Sequence, residues 1–432
     1  MCLRGCGCDR SGVGQGVLGL RAALLKRIAA HVGTPTYVYS ADLIRTEVRQ
    51  LQGALARIPH SIFYSMKANS NLSLLGLLRG LGVGVDIVSG GELERALAAG
   101  FAPDDIVFSG VGKSPRELER AVEVGVGLIN LESAGELQSL RGVTEAMARK
   151  ANVGVRVNPG VTIATHPYTQ TGAEGMKFGI PVDEVLDIAR DIATSPYLQL
   201  ASIGMHLGSQ IAAAHAYAEG ATKLGSLIAE LRGSGVDTLR SVDVGGGMAI
   251  PYGDRPGLPM SEFVEAVAPI AVETGLTLLL EPGRLLVGNA GALITRVLYC
   301  KRSGGRTFAV VDAGMNDFMR PSYYQAEHPI SVIGADDAAP DSLEPVDVVG
   351  PICETGDYLG LARRLPGLKP GALLAVHAAG AYGFSMSSTY NSRPRAAEVL
   401  VDGERVGLIR ARETIEDLWN REVAEPQWLP SL

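Results

Sequence analysis

The sequence predicts an α/β protein: a (β/α)8 barrel of the TIM type at residues 33–285, followed by an all-β domain at 286–432. Three observations predict it. Eight short apolar runs rich in β-branched residues alternate with amphipathic stretches between residues 60 and 281. That rhythm marks parallel strands joined by crossover helices. The repeats are nearly evenly spaced, which favours a closed barrel over the runner-up, a doubly wound open sheet. After Arg284 the rhythm changes to alternating runs punctuated by Gly and Pro, without long helices between them, as in a β-sandwich or barrel-like domain.

The eight runs lie at 61–66, 83–89, 105–109, 127–131, 153–157, 202–206, 241–244 and 276–281. Helical patterns cover 71–81, 91–99, 114–124, 133–150, 182–194, 215–232 and 261–273. Ser114-Pro115 with Glu117 forms a capping box with Pro at the first helical position. Ser133 and Glu136 repeat the S-x-x-E form. In the second domain 292–298, 307–312, 346–349, 372–377, 397–401 and 405–410 read as strands, and 413–419 as a short helix. Residues 1–32 form an N-terminal segment, expected to be partly disordered, that adds a strand or helix to the β-domain.

Composition narrows the function. Hydrophobic residues make up 46% of the 432 residues and charged residues 20%, enough for a large core. Lys+Arg 39 against Asp+Glu 46 gives a net charge of −7, which argues against nucleic acid or an anionic membrane as the main partner. No run of 18 apolar residues occurs; the richest stretch, 276–300, is broken by Glu281 and Arg284. Five cysteines are too few for a disulfide scaffold, so a reducing, cytoplasmic compartment is expected. Cys2, Cys6 and Cys8 lack the second ligand cluster that a zinc site needs, so no metal is expected. A disordered tail or a misplaced start codon accounts for them better.

A barrel of this kind carries its active site at the C-terminal ends of its strands. The first strand ends Tyr64-Ser65-Met66-Lys67-Ala68-Asn69. A lysine there is commonly a solvated group; the functional alternative is an amine whose pKa burial lowers, able to form a Schiff base with a carbonyl. The sixth strand ends Met205-His206-Leu207-Gly208-Ser209-Gln210. A lone histidine is usually a satisfied polar group, but the Gly-Ser turn beside it offers N–H groups and a hydroxyl to a phosphate. The seventh ends Asp243-Val244-Gly245-Gly246-Gly247 and the eighth Glu281-Pro282-Gly283-Arg284. Loops after the last two strands are the common phosphate site of such barrels. In the second domain, Cys353-Glu354 lies between glycines in a segment expected to be an exposed loop, where a thiol can act as an acid. The bland alternative is a small buried hydrophobe.

Together with Gly350–Asp357, the stretch Asp312-Ala313-Gly314-Met315-Asn316-Asp317, residues 378–391 and Tyr382, these motifs resemble those of the alanine-racemase-fold decarboxylases that depend on pyridoxal phosphate. Within that group they look most like the diaminopimelate decarboxylases. The resemblance runs from about residue 33 to the C-terminus. It implies Lys67 as the Schiff-base lysine, His206 against the face of the cofactor ring, and Glu281 at the pyridine nitrogen. Asp86 and Pro282 join the cofactor shell. Ser209, Gly246, Gly247, Gly283 and Arg284 would hold the phosphate, which Tyr382 also contacts. Arg284, Arg320, Tyr324, Glu354 and Tyr382 would bind substrate, and Cys353 would return a proton after CO2 leaves. Cys353 and Glu354 would reach the site of the other subunit in a homodimer.

The implied reaction is decarboxylation of meso-2,6-diaminopimelate to L-lysine. Guanidinium forks suit a distal carboxylate, and Glu354 suits a distal ammonium. Ornithine-type relatives usually carry Asp after the cysteine. Decarboxylation of ornithine, carboxynorspermidine or a carrier-bound glutamate is the alternative; a non-catalytic carrier of the cofactor is the remoter one, since such carriers lack the β-domain and the cysteine loop. The departures are Ser65 for the usual Ala, Leu207 for Ile, and Leu285-Leu286 for Ser-Ile; none removes a catalytic group.

Overall fold

The computed structural model describes residues 17–429 apart from 164, 174, 254 and 336–341. Cys2, Cys6 and Cys8 lie outside the described residues.

The barrel strands are β1 (His60–Ser65), β2 (Gly84–Ile87), β3 (Ile106–Phe108), β4 (Leu128–Leu131), β5 (Ala151–Asn158), β6 (Leu198–Gly204), β7 (Ser241–Asp243) and β8 (Thr277–Leu280). Each pairs in parallel with the next, and β8 pairs with β1, which closes the barrel. The predicted helices stand outside it at Leu72–Gly80, Gly90–Ala98, Pro115–Val124, Ala134–Met147, Val185–Ala193, Ala214–Gly233 and Met260–Thr274. Their starts follow the local chemistry. Ser114 and Glu117 form the reciprocal capping box. Ser133 caps its helix, but Glu136 reaches back one residue further, to the N–H of Glu132, and binds Lys113 as well.

The second domain is a nine-stranded mixed sheet. The 13-residue strand Gly291–Ser303 joins its parts, pairing with Thr36–Ser40, Arg306–Val311 and Leu373–Val376. Three of its strands escape the sequence reading. Ile330–Val332 is only three residues long. Tyr358–Pro366 carries Gly360, Arg363 and Arg364 with Ala362 at φ +49°, a bulged edge without a clean alternation. Thr36–Ser40 falls inside the span assigned to the barrel. It pairs instead with Gly291–Ser303 and with Ala397–Asp402, fully buried between them. The boundary drawn at residue 33 therefore moves: the second sheet reaches back through Ser40. The helix Ala22–Val32 packs Leu25, Ile28 and Ala29 against Val38, Ala292 and Ile294 of that sheet. The expected helix at 413–419 is one 3-10 turn, Glu416–Leu418.

The two domains are fastened around the segment that follows β1. Tyr382 N–H donates to Ala68 O at 2.8 Å, Ser385 Oγ to the same oxygen at 3.2 Å, and Asn69 Nδ2 to Gly380 O at 3.3 Å. Beside them Glu398 is fully buried and accepts from Tyr39 Oη at 2.7 Å, Asn71 Nδ2 at 3.0 Å and Arg410 Nε. A buried carboxylate is tolerable only when its lone pairs are met in this way. Among the described residues no helix is long and apolar enough to cross a membrane.

Candidate active site

A cavity of about 860 Å3 opens at the C-terminal ends of the barrel strands, and Arg320, Tyr324 and Tyr382 of the second domain complete its wall. That volume lies within the range of clefts that take small molecules. Lys67, His206, Ser209, Glu281 and Arg284 line it from the barrel.

Lys67 sits in the 3-10 turn Met66–Ala68 that follows β1, between two buried neighbours. Burial is the largest single influence on its ammonium and lowers the pKa, but acidic neighbours, Asp86 first among them, outweigh it. The net shift is upward from 10.5. The expectation of an amine weakened by burial is corrected here: the Asp86 carboxylate favours the protonated form of Lys67. Asp86, in β2, receives the Ser65 hydroxyl at Oδ2, 2.7 Å away, while its buried Oδ1 has no partner.

Glu281 follows β8 and accepts from Ser109 Oγ at 3.2 Å. Burial, then the charge of Asp243, pushes its pKa well above the usual range. Asp243, which ends β7, is pushed up to about 6, chiefly by burial. The two carboxyls hydrogen-bond each other, and Glu281 is the member that holds the proton. His206 Nδ1 accepts the N–H of Gly246 at 3.2 Å and lies 3.9 Å from Glu281 Oε2. Burial, with the charges of Lys67 and Arg156, holds its pKa well below 6.5. The ring is therefore neutral, and accepting at Nδ1 puts its proton on Nε2.

The turn after β7 tolerates only glycine. A Cβ at Gly246 would fall 2.1 Å from Glu281 O, and one at Gly247, where φ is +91°, would fall 2.1 Å from Gly208 O. Gly246, Gly247, Pro282 and Gly283 do not line this cavity; they line a small void that shares only Arg284 with it. Arg284 is buried; Nη1 donates to Tyr252 Oη at 2.8 Å and Nη2 to Ser209 Oγ at 2.9 Å. Its guanidinium lies 4.7 Å from the Tyr382 ring centre, and its Nε has no partner.

Cys353 and Glu354 are exposed and do not line the cavity of their own chain. Their loop is built on Asp357, which accepts the N–H groups of Ile352 and Met315, both at 2.6 Å. Cys353 N–H donates to Asn391 Oδ1 at 3.0 Å and Tyr390 Oη to Glu354 Oε2 at 3.1 Å.

Sequence reasoning passed over several residues of the site. Arg156 lines the cavity from β5 and pairs with buried Glu132 at 2.9 Å. Its signal was a charge in an otherwise apolar strand. Asp243 stands just before the glycine run, where the motif itself marks no role for it. Ser109 and Tyr252 stand in stretches with no distinguishing motif.

Residues 41–288 match the family model described as pyridoxal-dependent decarboxylase, pyridoxal binding domain. A diaminopimelate decarboxylase of Pseudomonas aeruginosa is 46% identical over 403 residues, 93% of this chain and 96% of that protein. One from Vibrio cholerae is 41% identical over 404 residues, 93% of this chain and 96% of that one. Among solved structures, the diaminopimelate decarboxylase of Helicobacter pylori complexed with L-lysine matches with a TM-score of 0.87 at 39% identity, covering 92% of this chain and 98% of the other. That of M. jannaschii with L-lysine matches with a TM-score of 0.87 at 33% identity, covering 93% and 95%.

Proposed function

The chain belongs to the pyridoxal-dependent decarboxylases and, within them, to the diaminopimelate decarboxylases, and we propose that it works at the barrel-mouth cavity with pyridoxal 5′-phosphate as cofactor. The enzyme removes one carboxylate of meso-2,6-diaminopimelate as CO2 and leaves L-lysine, the last step of lysine biosynthesis.

One observation carries the reading. A lysine amine, a proton-bearing carboxyl and a pair of guanidiniums, those of Arg284 and Arg320, converge on one cavity. The residues fit the cofactor: the buried Nε of Arg284, which lines the cavity, has no protein partner, a donor in want of a polar ligand. When bound, pyridoxal phosphate supplies the electron sink for the bonding pair that CO2 leaves behind.

The protein's part is placement and protons. Lys67 would hold the cofactor covalently through its amine. Ser209, Gly246, Gly247, Gly283 and Arg284 would bind the phosphate, with Tyr382 against it. His206, neutral, would support the ring without adding a charge. Glu281 would face the ring nitrogen with the proton it shares with Asp243. Arg320, Arg284, Tyr324 and Tyr382 would hold the end of the substrate that does not react, and the departing carboxylate gains by having no cation of its own. Cys353 and Glu354 of the partner subunit would complete the site in a cytoplasmic homodimer. Their exposure, and their absence from their own chain's cavity, support that reading.

A product assay tests the function. With meso-diaminopimelate, ornithine and carboxynorspermidine supplied separately, L-lysine and CO2 are expected from the first, and equal turnover of ornithine would defeat the substrate assignment. Glu281 has its own test. Glu281→Gln keeps the shape but not the carboxyl proton, so kcat should fall by roughly 10²-fold, the typical worth of one positioned acid or base. Cofactor content, read by absorbance, should stay near stoichiometric because the phosphate contacts remain. A full kcat in the variant would remove Glu281 from the chemistry.

A further inference from the structure

Arg284 and Arg320 share one cavity, and among the described residues neither has a carboxylate within ion-pair distance. Two buried guanidiniums without a counter-ion repel each other; burial and then the charge of Arg284 lower the pKa of Arg320. Something neutral must aim them before an anion arrives.

For Arg320 that group is His328. Arg320 Nε–H donates to His328 Nε2 at 3.2 Å, the one hydrogen bond of this guanidinium among the described residues. Both terminal Nη groups are thereby left for a ligand. The other face of the bond is fixed as well. His328 Nδ1–H donates to the carbonyl of His377 at 2.9 Å, which forces the tautomer with a lone pair on Nε2. The ring is fully buried, edge-on to Tyr252 at 4.8 Å and to Phe318 at 4.6 Å. Tyr252 in turn accepts from Arg284 Nη1 at 2.8 Å and lies 5.9 Å beneath the Arg320 guanidinium. Burial and the charge of Arg320 keep the pKa of His328 well below 6.5.

We propose that His328 is a positioning residue for substrate selection: its neutral Nε2 aims the Arg320 fork at the carboxylate of the amino-acid end that is not decarboxylated. This deepens the substrate reading given above and rests on it.

The test compares two inhibitors that differ by that one carboxylate, L-lysine and 1,5-diaminopentane, on the holoenzyme. His328→Phe keeps the packing on Tyr252 and Phe318 but removes the acceptor. It should raise the inhibition constant of L-lysine, and the KM of diaminopimelate, by about tenfold, the worth of one charge-assisted hydrogen bond. The 1,5-diaminopentane constant should not move, and kcat should change much less than KM. His328→Gln, which restores an acceptor, should recover part of the loss. In an Arg320→Ala background His328→Phe should add nothing. If Arg320→Ala weakens L-lysine while both His328 variants bind it normally, the proposal is overturned and the substrate reading survives. If Arg320→Ala leaves L-lysine binding intact, the substrate reading fails and takes the proposal with it. A parallel loss of both inhibitors in both His328 variants would show a general structural role and also overturn it.

Discussion

Lys67→Ala is expected to lose turnover by on the order of 10³-fold or more if Lys67 is the covalent anchor proposed for the cofactor. A second variant separates the charge of this side chain from the reactivity of its amine. Anionic neighbours raise the pKa of Lys67 above 10.5, so its charge alone contributes to the field of the cavity. Lys67→Arg keeps that charge but cannot condense with a carbonyl, and should be nearly as inactive as the alanine variant. Borohydride reduction of the wild-type holoenzyme, followed by peptide mass spectrometry, should place the cofactor on Lys67. Lys113 is the instructive control: it is buried, pairs with Glu136 at 3.0 Å and donates to Gly110 O and Asn130 O. An amine so engaged is not available to a carbonyl. Cofactor recovered on Lys113, or full activity in Lys67→Arg, would contradict the assignment.

What the sequence reveals and what it hides divide along physical lines. Barrel strands are buried on both faces, so 84–87 or 277–280 stand out as apolar runs between polar helices, and the strand ends follow with their lysine, histidine, glycines and glutamate. Periodicity cannot say which sheet a strand joins. Thr36–Ser40 falls within the span assigned to the barrel, yet it pairs with Gly291–Ser303 and Ala397–Asp402, more than 250 residues later in the chain. Charge state is hidden for the same reason. Glu281 and Lys67 each follow an apolar strand, but the proton on Glu281 depends on Asp243 from β7, and the one on Lys67 on Asp86 from β2. Those partners meet only when the barrel closes. Tyr252 and His328 show no motif because they act on Arg284 and Arg320, which the sequence does show.

Cys353→Ala should cost nearly as much as Lys67→Ala if its thiol returns the proton to the decarboxylated carbon, on the order of 10²–10⁴-fold for a lost general acid. The same variant decides whose site the thiol serves. Cys353 is exposed and does not line the cavity that holds Lys67 in its own chain. Its loop is nonetheless held in place, by Asp357 within it and by Asn391 and Tyr390 beside it. A fixed loop with an exposed thiol is what a two-fold partner would need, and such isologous contacts are the commonest oligomer interface. The two inactive variants, Lys67→Ala and Cys353→Ala, should therefore complement when mixed. Random exchange makes about half of the dimers mixed, and each mixed dimer has one site built from two intact contributions, so about one quarter of wild-type activity should return. Native mass spectrometry of the mixture reports the exchange independently of activity. Mixed dimers present at about half the total, with no activity regained, would mean that each site is built within one chain, and that the loop must move to bring Cys353 to its own Lys67.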